Sequence, residues 1–278
     1  MSIKNLCLEV TNQCYQNCIH CSSCSCIDAN DYLTIETINN ILDQLQNLEY
    51  VSIFGGEPFL HKNFLSIIKI LYDRKLKYCI YSCGYGYDKN IVKDLIKFGC
   101  NKVIFSLHGN KEVQNEISRI HSYDTTIETI LYFKKFINVE LHIVPMSINY
   151  DVIDSIVFFA REHNIYVSFL KFVPQGRAKK ELELTKQQEI DLYNKYKDVY
   201  RFGSPFGHTQ CTVAQDKLLI ASDGKIIPCE AFKHYRKNCF DVYSNKIMDV
   251  FNNSDLFCKL RTENAICLGR EYLNVVKN

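Results

Sequence analysis

The chain has 278 residues, 47% of them hydrophobic and 23% charged, with a formal net charge of +2: an ordinary globular balance, long enough for one large unit and an appendage. No concentrated basic excess and no bilayer-length apolar stretch is present, so neither nucleic acid nor membrane is an expected partner. Residues 1–7 lack the basic and apolar regions of a secretory signal, which predicts a cytoplasmic protein whose 14 cysteines ligate metal or do chemistry instead of forming bridges.

From residue 7 to residue 173, apolar and β-branched runs alternate with helical patterns, the signature of strand-helix-strand units and a parallel sheet. Six strands are predicted, at 7–11, 50–54, 78–82, 102–107, 139–144 and 166–173. Behind a Thr34 cap, Ile35, Ile38, Ile41, Leu42, Leu45 and Leu48 recur at helical spacing. A second helix carries Ile91, Val92, Leu95, Ile96 and Phe98 and ends at Gly99; a third, with Ile153, Ile156 and Val157, is bracketed by Asp151 and Asn164. Right-handed crossovers turn such units into an α/β fold, either an open wound sheet or a partial (β/α)6 TIM-like barrel, and periodicity alone does not choose. In both, ligands sit beyond the carboxyl ends of the strands. After Gly176 a polar helix near 185–196 leads to a cysteine-bearing segment built on the hairpin signal Ser222-Asp223-Gly224. The expected division is 1–205 and 206–278, the second unit a small hairpin-plus-helix extension.

Cys14, Cys18 and Cys21 follow the first strand as C-x3-C-x2-C. A cubane iron–sulfur cluster prefers four thiolates, so three leave one iron open to an external ligand. A zinc site or redox pair is the alternative, with Cys24 and Cys26 as spare ligands. The second strand runs into Gly55-Gly56-Glu57-Pro58. Together these motifs resemble the radical S-adenosylmethionine (SAM) superfamily, whose fold is the partial barrel and whose GGEP motif follows the second strand. The resemblance implies a [4Fe–4S] cluster on Cys14, Cys18 and Cys21, with the cofactor chelating the open iron. Gly55 and Gly56 would allow backbone approach to the methionine ammonium, and Glu57 would serve binding. It also places Ser106, in Phe105-Ser106-Leu107-His108-Gly109, near the ribose and Arg119 at the methionine carboxylate. His108 departs from the family's Asp, and Cys83 stands where relatives have Asn.

Cys211, Gly224 and Cys229 are separated by twelve and four residues. They resemble the opening of SPASM and twitch extensions, in which a hairpin presents thiolates to an auxiliary [4Fe–4S] cluster. Of the later cysteines Cys239, Cys258 and Cys267, the last stands in Cys267-Leu268-Gly269-Arg270, where relatives have C-x2-C. One cluster is expected, on Cys211, Cys229, Cys258 and Cys267, with Cys239, Arg270 or a substrate atom as alternatives to Cys258. Unrelated buried cysteines are the bland alternative.

The resemblance implies an enzyme that reductively cleaves SAM and abstracts hydrogen from substrate, with flavodoxin or ferredoxin as electron donor. Among such enzymes, maturases of ribosomally made peptides are the commonest class, which is an associational argument. The cysteine loop begins at residue 14, leaving no room before it for a leader-recognition domain, so a peptide would be presented by a separate protein or read by the barrel rim. Glu230 stands where a hydrogen-donating cysteine could sit, which favours oxidative cross-linking over epimerisation; small-molecule dehydrogenation and a non-enzymatic iron–sulfur or zinc module are the other readings. Lys171, Gln175 and Arg177 are rim residues.

Overall fold

The structure, a computed structural model, describes residues 2–203, 211–263 and 267–275. Strands β1 (Asn5–Glu9), β2 (Tyr50–Phe54), β3 (Lys77–Ser82), β4 (Lys102–Ser106), β5 (Asn138–Ile143) and β6 (Tyr166–Phe169) each pair in parallel with the next. A short β7 (Arg201–Phe202) extends the far side beside β6. On the near side β8 (Lys217–Ile220) runs parallel to β1, and β9 (Ile226–Ile227) returns antiparallel to β8. Among the described residues nine strands form one sheet whose edges, β7 and β9, do not pair with each other, so the barrel is partial.

All six predicted strands are present. The first runs two residues earlier than predicted, Asn5 and Leu6 pairing with Tyr50 and Val51, and ends before Thr11, which bridges to Tyr32 instead. The sixth stops at Phe169, short of the predicted 173. Pro174 has no N–H to donate to a ladder, and the chain turns there toward the cysteine loop. Alternation along the strands sorts their side chains: Leu6, Leu8, Val51, Ile53, Phe105, Leu141 and Val167 join the apolar core, while Ser52, Tyr81, Glu140, His142 and Ser168 project to the other, lumen face.

The crossovers are α1 (Ile35–Asp43), α2 (Phe64–Asp73), α3 (Ile91–Lys97), the pair α4 (Lys111–Ser118) and α5 (Tyr123–Lys134), and α6 (Ile153–Glu162). Thr34 caps α1 as predicted, its Oγ1 accepting from the Thr37 N–H at 3.1 Å; Leu45 and Leu48 are buried beyond the helix end. The polar helix is α7 (Lys186–Tyr196), opened by a capping box between Thr185 and Gln188. A 3₁₀ helix, Glu230–Asn238, follows the β8–β9 hairpin, then α8 (Ile247–Asn253), α9 (Asp255–Thr262) and α10 (Leu268–Val275). Gly224 turns the hairpin at φ +82°. The expected boundary near residue 205 lies outside the described residues. Among the described residues no helix is long and apolar enough to cross a membrane.

Candidate functional site

The loop from Val10 to Leu33 carries Cys14, Cys18 and Cys21, and neighbouring backbone pins it on three sides. Gly56 and Glu57 donate their N–H groups to the carbonyls of Thr11 (2.8 Å) and Gln13 (2.7 Å). Asn17 and Ile19 donate to the carbonyls of Ser118 (3.1 Å) and Ile117 (3.0 Å) at the end of α4. Arg177 closes the third side: its backbone N–H reaches the Cys21 carbonyl at 3.0 Å, Nε the Cys18 carbonyl at 2.9 Å and Nη2 the Ser25 carbonyl at 2.7 Å.

The two glycines are explained by this packing. A Cβ on Gly55 would lie 2.4 Å from the Thr11 oxygen, and one on Gly56 would lie 2.3 Å from the Gln13 oxygen, so only glycine lets the strand end lie flat against the loop. Glu57 is fully buried and engaged by protein: Ser82 Oγ donates to its carboxylate at 3.0 Å, the Cys83 N–H at 2.8 Å and the Phe59 N–H at 3.3 Å. Its role here is to tie the end of β2 to the end of β3.

All three sulfurs lie on this loop, those of Cys21 and Cys14 near enough to act on that of Cys18. Burial and then the Cys21 and Cys14 sulfurs push the Cys18 thiol up, so forming thiolates here calls for positive charge at the site, which an iron cluster supplies. Three buried polar atoms of the same loop, Gln16 Nε2, His20 Nδ1 and Ser25 Oγ, have no partner among the described residues. Three thiols and three unsatisfied polar atoms on one loop fit a cluster that accepts hydrogen bonds at its sulfurs. No group of three His, Cys, Asp or Glu among the described residues is placed to hold a single metal ion; a cubane, several ångströms wide, spreads its ligands further apart than one ion does. Cys24 is exposed, and the backbone of Cys26 bridges to that of Gln13. Cys83, which stands where relatives have Asn, is a further neighbour: hydrogen bonding to Cys14, then burial, pushes its thiol well up.

Ser106 ends β4 in register with His142 of β5. Two residues on, His108 packs edge-on against His20 of the loop at 4.6 Å, which brings the end of β4 to the triad. Burial, then Arg177, lowers His20 to about 4. Arg119 caps α4 at φ +59°, directly after the two carbonyls that hold the loop, with its side chain exposed.

In the C-terminal segment, Cys229 ends the hairpin and caps the 3₁₀ helix. Burial, then Glu230, pushes its thiol up, and Cys267 adds to this; burial does the same to Cys267, with Cys211 adding. These three cysteines therefore share one neighbourhood, with Arg270 beside Cys267. Cys258 is not brought to them. Helix α9 buries Phe257 and Leu260, which turns Cys258 outward, exposed, with Sγ 3.2 Å from the Asn252 carbonyl. Cys239 is buried elsewhere, facing Lys225 and Asp223. Of the rim residues, Gln175 joins the two regions: its Nε2 donates to the Glu230 carbonyl at 2.7 Å and its Oε1 accepts from the His234 N–H at 3.1 Å. Lys171 pairs with Glu189.

The family model described as "Radical SAM superfamily" matches residues 8–160, and SPASM, an iron–sulfur cluster-binding domain, matches residues 211–270. The GTP 3',8-cyclase of Helicobacter pylori (strain HPAG1) is 26% identical over 256 residues, covering 80% of this chain and 78% of its own. The mycofactocin maturase MftC of Mycolicibacterium smegmatis is 23% identical over 278 residues, covering 91% and 71%. Streptococcus suis SuiB bound to S-adenosylmethionine is 18% identical and superposes over 100% of this chain and 75% of its own, with a TM-score of 0.82. SuiB bound to its precursor peptide SuiA gives 0.81 at 18% identity, over 100% and 73%.

Proposed function

This chain belongs to the radical SAM superfamily and carries a SPASM domain, and from that premise we propose that it oxidatively modifies a ribosomally made peptide, forming a cross-link. Enzymes of this superfamily bind a [4Fe–4S] cluster and SAM, and together these supply a 5'-deoxyadenosyl radical that takes hydrogen from substrate. The observation that carries the reading is the loop of Cys14, Cys18 and Cys21, pinned by Gly56 and Glu57, by the end of α4 and by Arg177.

The chain's own residues then have these roles. Cys14, Cys18 and Cys21 hold the first cluster. The backbone at Gly55 and Gly56 approaches the methionine end of SAM while Glu57 holds that turn; Ser106 and Arg119 serve the ribose and the methionine carboxylate. Cys211, Cys229 and Cys267 would hold the auxiliary cluster, with Arg270, beside Cys267, or a substrate atom completing the set. Cys258 is left out. The first unit spans 1–205 and the second 206–278, and flavodoxin or ferredoxin delivers the electrons.

A peptide is favoured over a nucleotide by the likeness to SuiB, which superposes on the whole of this chain and is seen with a precursor peptide. MftC, a maturase, points the same way, while the Helicobacter pylori relative is a GTP cyclase.

Anaerobic reconstitution tests the reading. Roughly eight irons per chain are expected for two cubanes, and dithionite with SAM should release 5'-deoxyadenosine. With its peptide, presented by a recognition protein if one is needed, the product should be lighter by about two hydrogens. Unchanged mass with solvent deuterium uptake would make it an epimerase, and turnover of GTP would replace the peptide.

A further inference from the structure

One buried carboxylate joins the cysteine loop to the C-terminal segment. Glu9, at the end of β1, has no exposed surface. Its Oε1 accepts from Ser23 Oγ and from Lys233 Nζ, both at 2.6 Å; its Oε2 accepts from the Ser222 N–H at 3.2 Å, with Arg236 Nη1 at 3.8 Å. Lys233, 4% exposed, also hydrogen-bonds Ser23 and lies 5.0 Å from the ring of Phe54. Arg236 is balanced in turn by Asp223 at 2.7 Å.

The sequence positions of these groups give the network its meaning. Ser23 lies two residues after Cys21, Phe54 immediately before Gly55, Ser222 in the hairpin turn, and Lys233 four residues after Cys229. A dry ion pair is a poor source of stability, since stripping water from both charges offsets most of their attraction. What it does well is make one geometry the only satisfied one. If the C-terminal segment leaves, Glu9 loses its countercharges and Ser23 loses the ammonium beside it.

We propose that Glu9 is a positioning residue, a latch through which docking of the C-terminal segment fixes the far end of the cysteine loop and so the SAM site. The proposal rests on the radical SAM reading of that loop. Lys233 supplies the countercharge, Ser23 is the point of attachment on the loop, and the segment takes part in building the first site besides carrying thiols of its own.

The test compares Glu9→Gln, Lys233→Met, the double variant and Ser23→Ala with the wild type, as reconstituted holoproteins. Titration with SAM is followed by the electron paramagnetic resonance change of the reduced first cluster, and melting temperature is measured alongside. Each single variant should raise the SAM concentration at half-change about tenfold. The double variant, which removes both charges, should melt like the wild type yet stay weak toward SAM. Ser23→Ala, which cuts only the attachment to the loop, should weaken SAM binding with little change in melting temperature and with full iron content. A double variant that regains wild-type SAM response along with its melting temperature, or a Ser23→Ala protein with wild-type response, overturns the latch. A wild-type holoprotein blind to SAM overturns the cofactor reading itself, and the latch with it.

Discussion

The guanidinium of Arg177 reaches 159 residues back along the chain to donate Nε to the backbone carbonyl of Cys18 at 2.9 Å. Its second donor, Nη2, takes the carbonyl of Ser25, so one planar fork spans the outer half of the cysteine loop. Arg177→Met should free both carbonyls at a cost of about 2 kcal/mol and loosen the loop. Release of iron to a chelator should quicken, and Arg177→Lys should fail to rescue it, because one ammonium does not reproduce the fork. Wild-type release rates in both variants would refute this role.

Gly56→Ala places a methyl 2.3 Å from the Gln13 oxygen and 2.7 Å from its carbonyl carbon. Both belong to backbone held by its own hydrogen bonds, so the loop must move. A loss of roughly 2–3 kcal/mol is expected in denaturant unfolding, together with loss of 5'-deoxyadenosine formation. An active, stable alanine variant would show that the loop yields.

Cys267→Ser and Cys258→Ser separate the two candidate thiols of the C-terminal segment. The first should remove roughly four irons per chain and leave the SAM-responsive signal of the other cluster. The second should keep full iron, since its sulfur faces water and the Asn252 carbonyl. The reverse pattern would return Cys258 to the ligand set.

Glu140 governs an acid response. Burial alone would push its carboxyl up, but hydrogen bonds from His142 and Ser168, and from Lys102, bring it from 4.5 down to about 2. A depressed carboxylate contributes stability that is fully present above its unfolded value and is lost as pH falls toward the folded one. The wild type should therefore lose ~2 kcal/mol between pH 4.5 and pH 2 that Glu140→Gln does not lose. Unfolding curves at matched pH measure it, and parallel curves would remove Glu140 from this role.

Much of this was legible in the chain because the informative patterns are local. Six strands show as short β-branched runs, and the cysteine triad lies within eight residues of one loop. Helix α2, FLSIIKILYD, buries Phe64, Ile67, Ile68 and Leu71 at i, i+3, i+4 and i+7, a helical signal present in the chain, while α5 carries Thr125, Thr126, Ile127 and Thr129, β-branched residues that favour strand over helix. The misplaced thiol, Cys258, is a question of which side α9 turns to the core, and neighbours in space decide that. Glu9 did leave a signal: an acid within Leu6-Cys7-Leu8-Glu9-Val10 must find a cation. Nothing in the spacing says that the cation is Lys233, 224 residues away.

The parallel pairing of β1 with β8 bears on how the protein is made. Asn5 is bound to Asp216, 211 residues downstream, so β1 has an open edge until that much further chain has been made. At ~5–20 residues per second that wait is roughly 10–40 s. Throughout it, an apolar strand with unpaired N–H and C=O groups is available to any passing edge. Chaperone dependence during synthesis, and poor yield when expression outruns it, follow from where the sheet places its first strand.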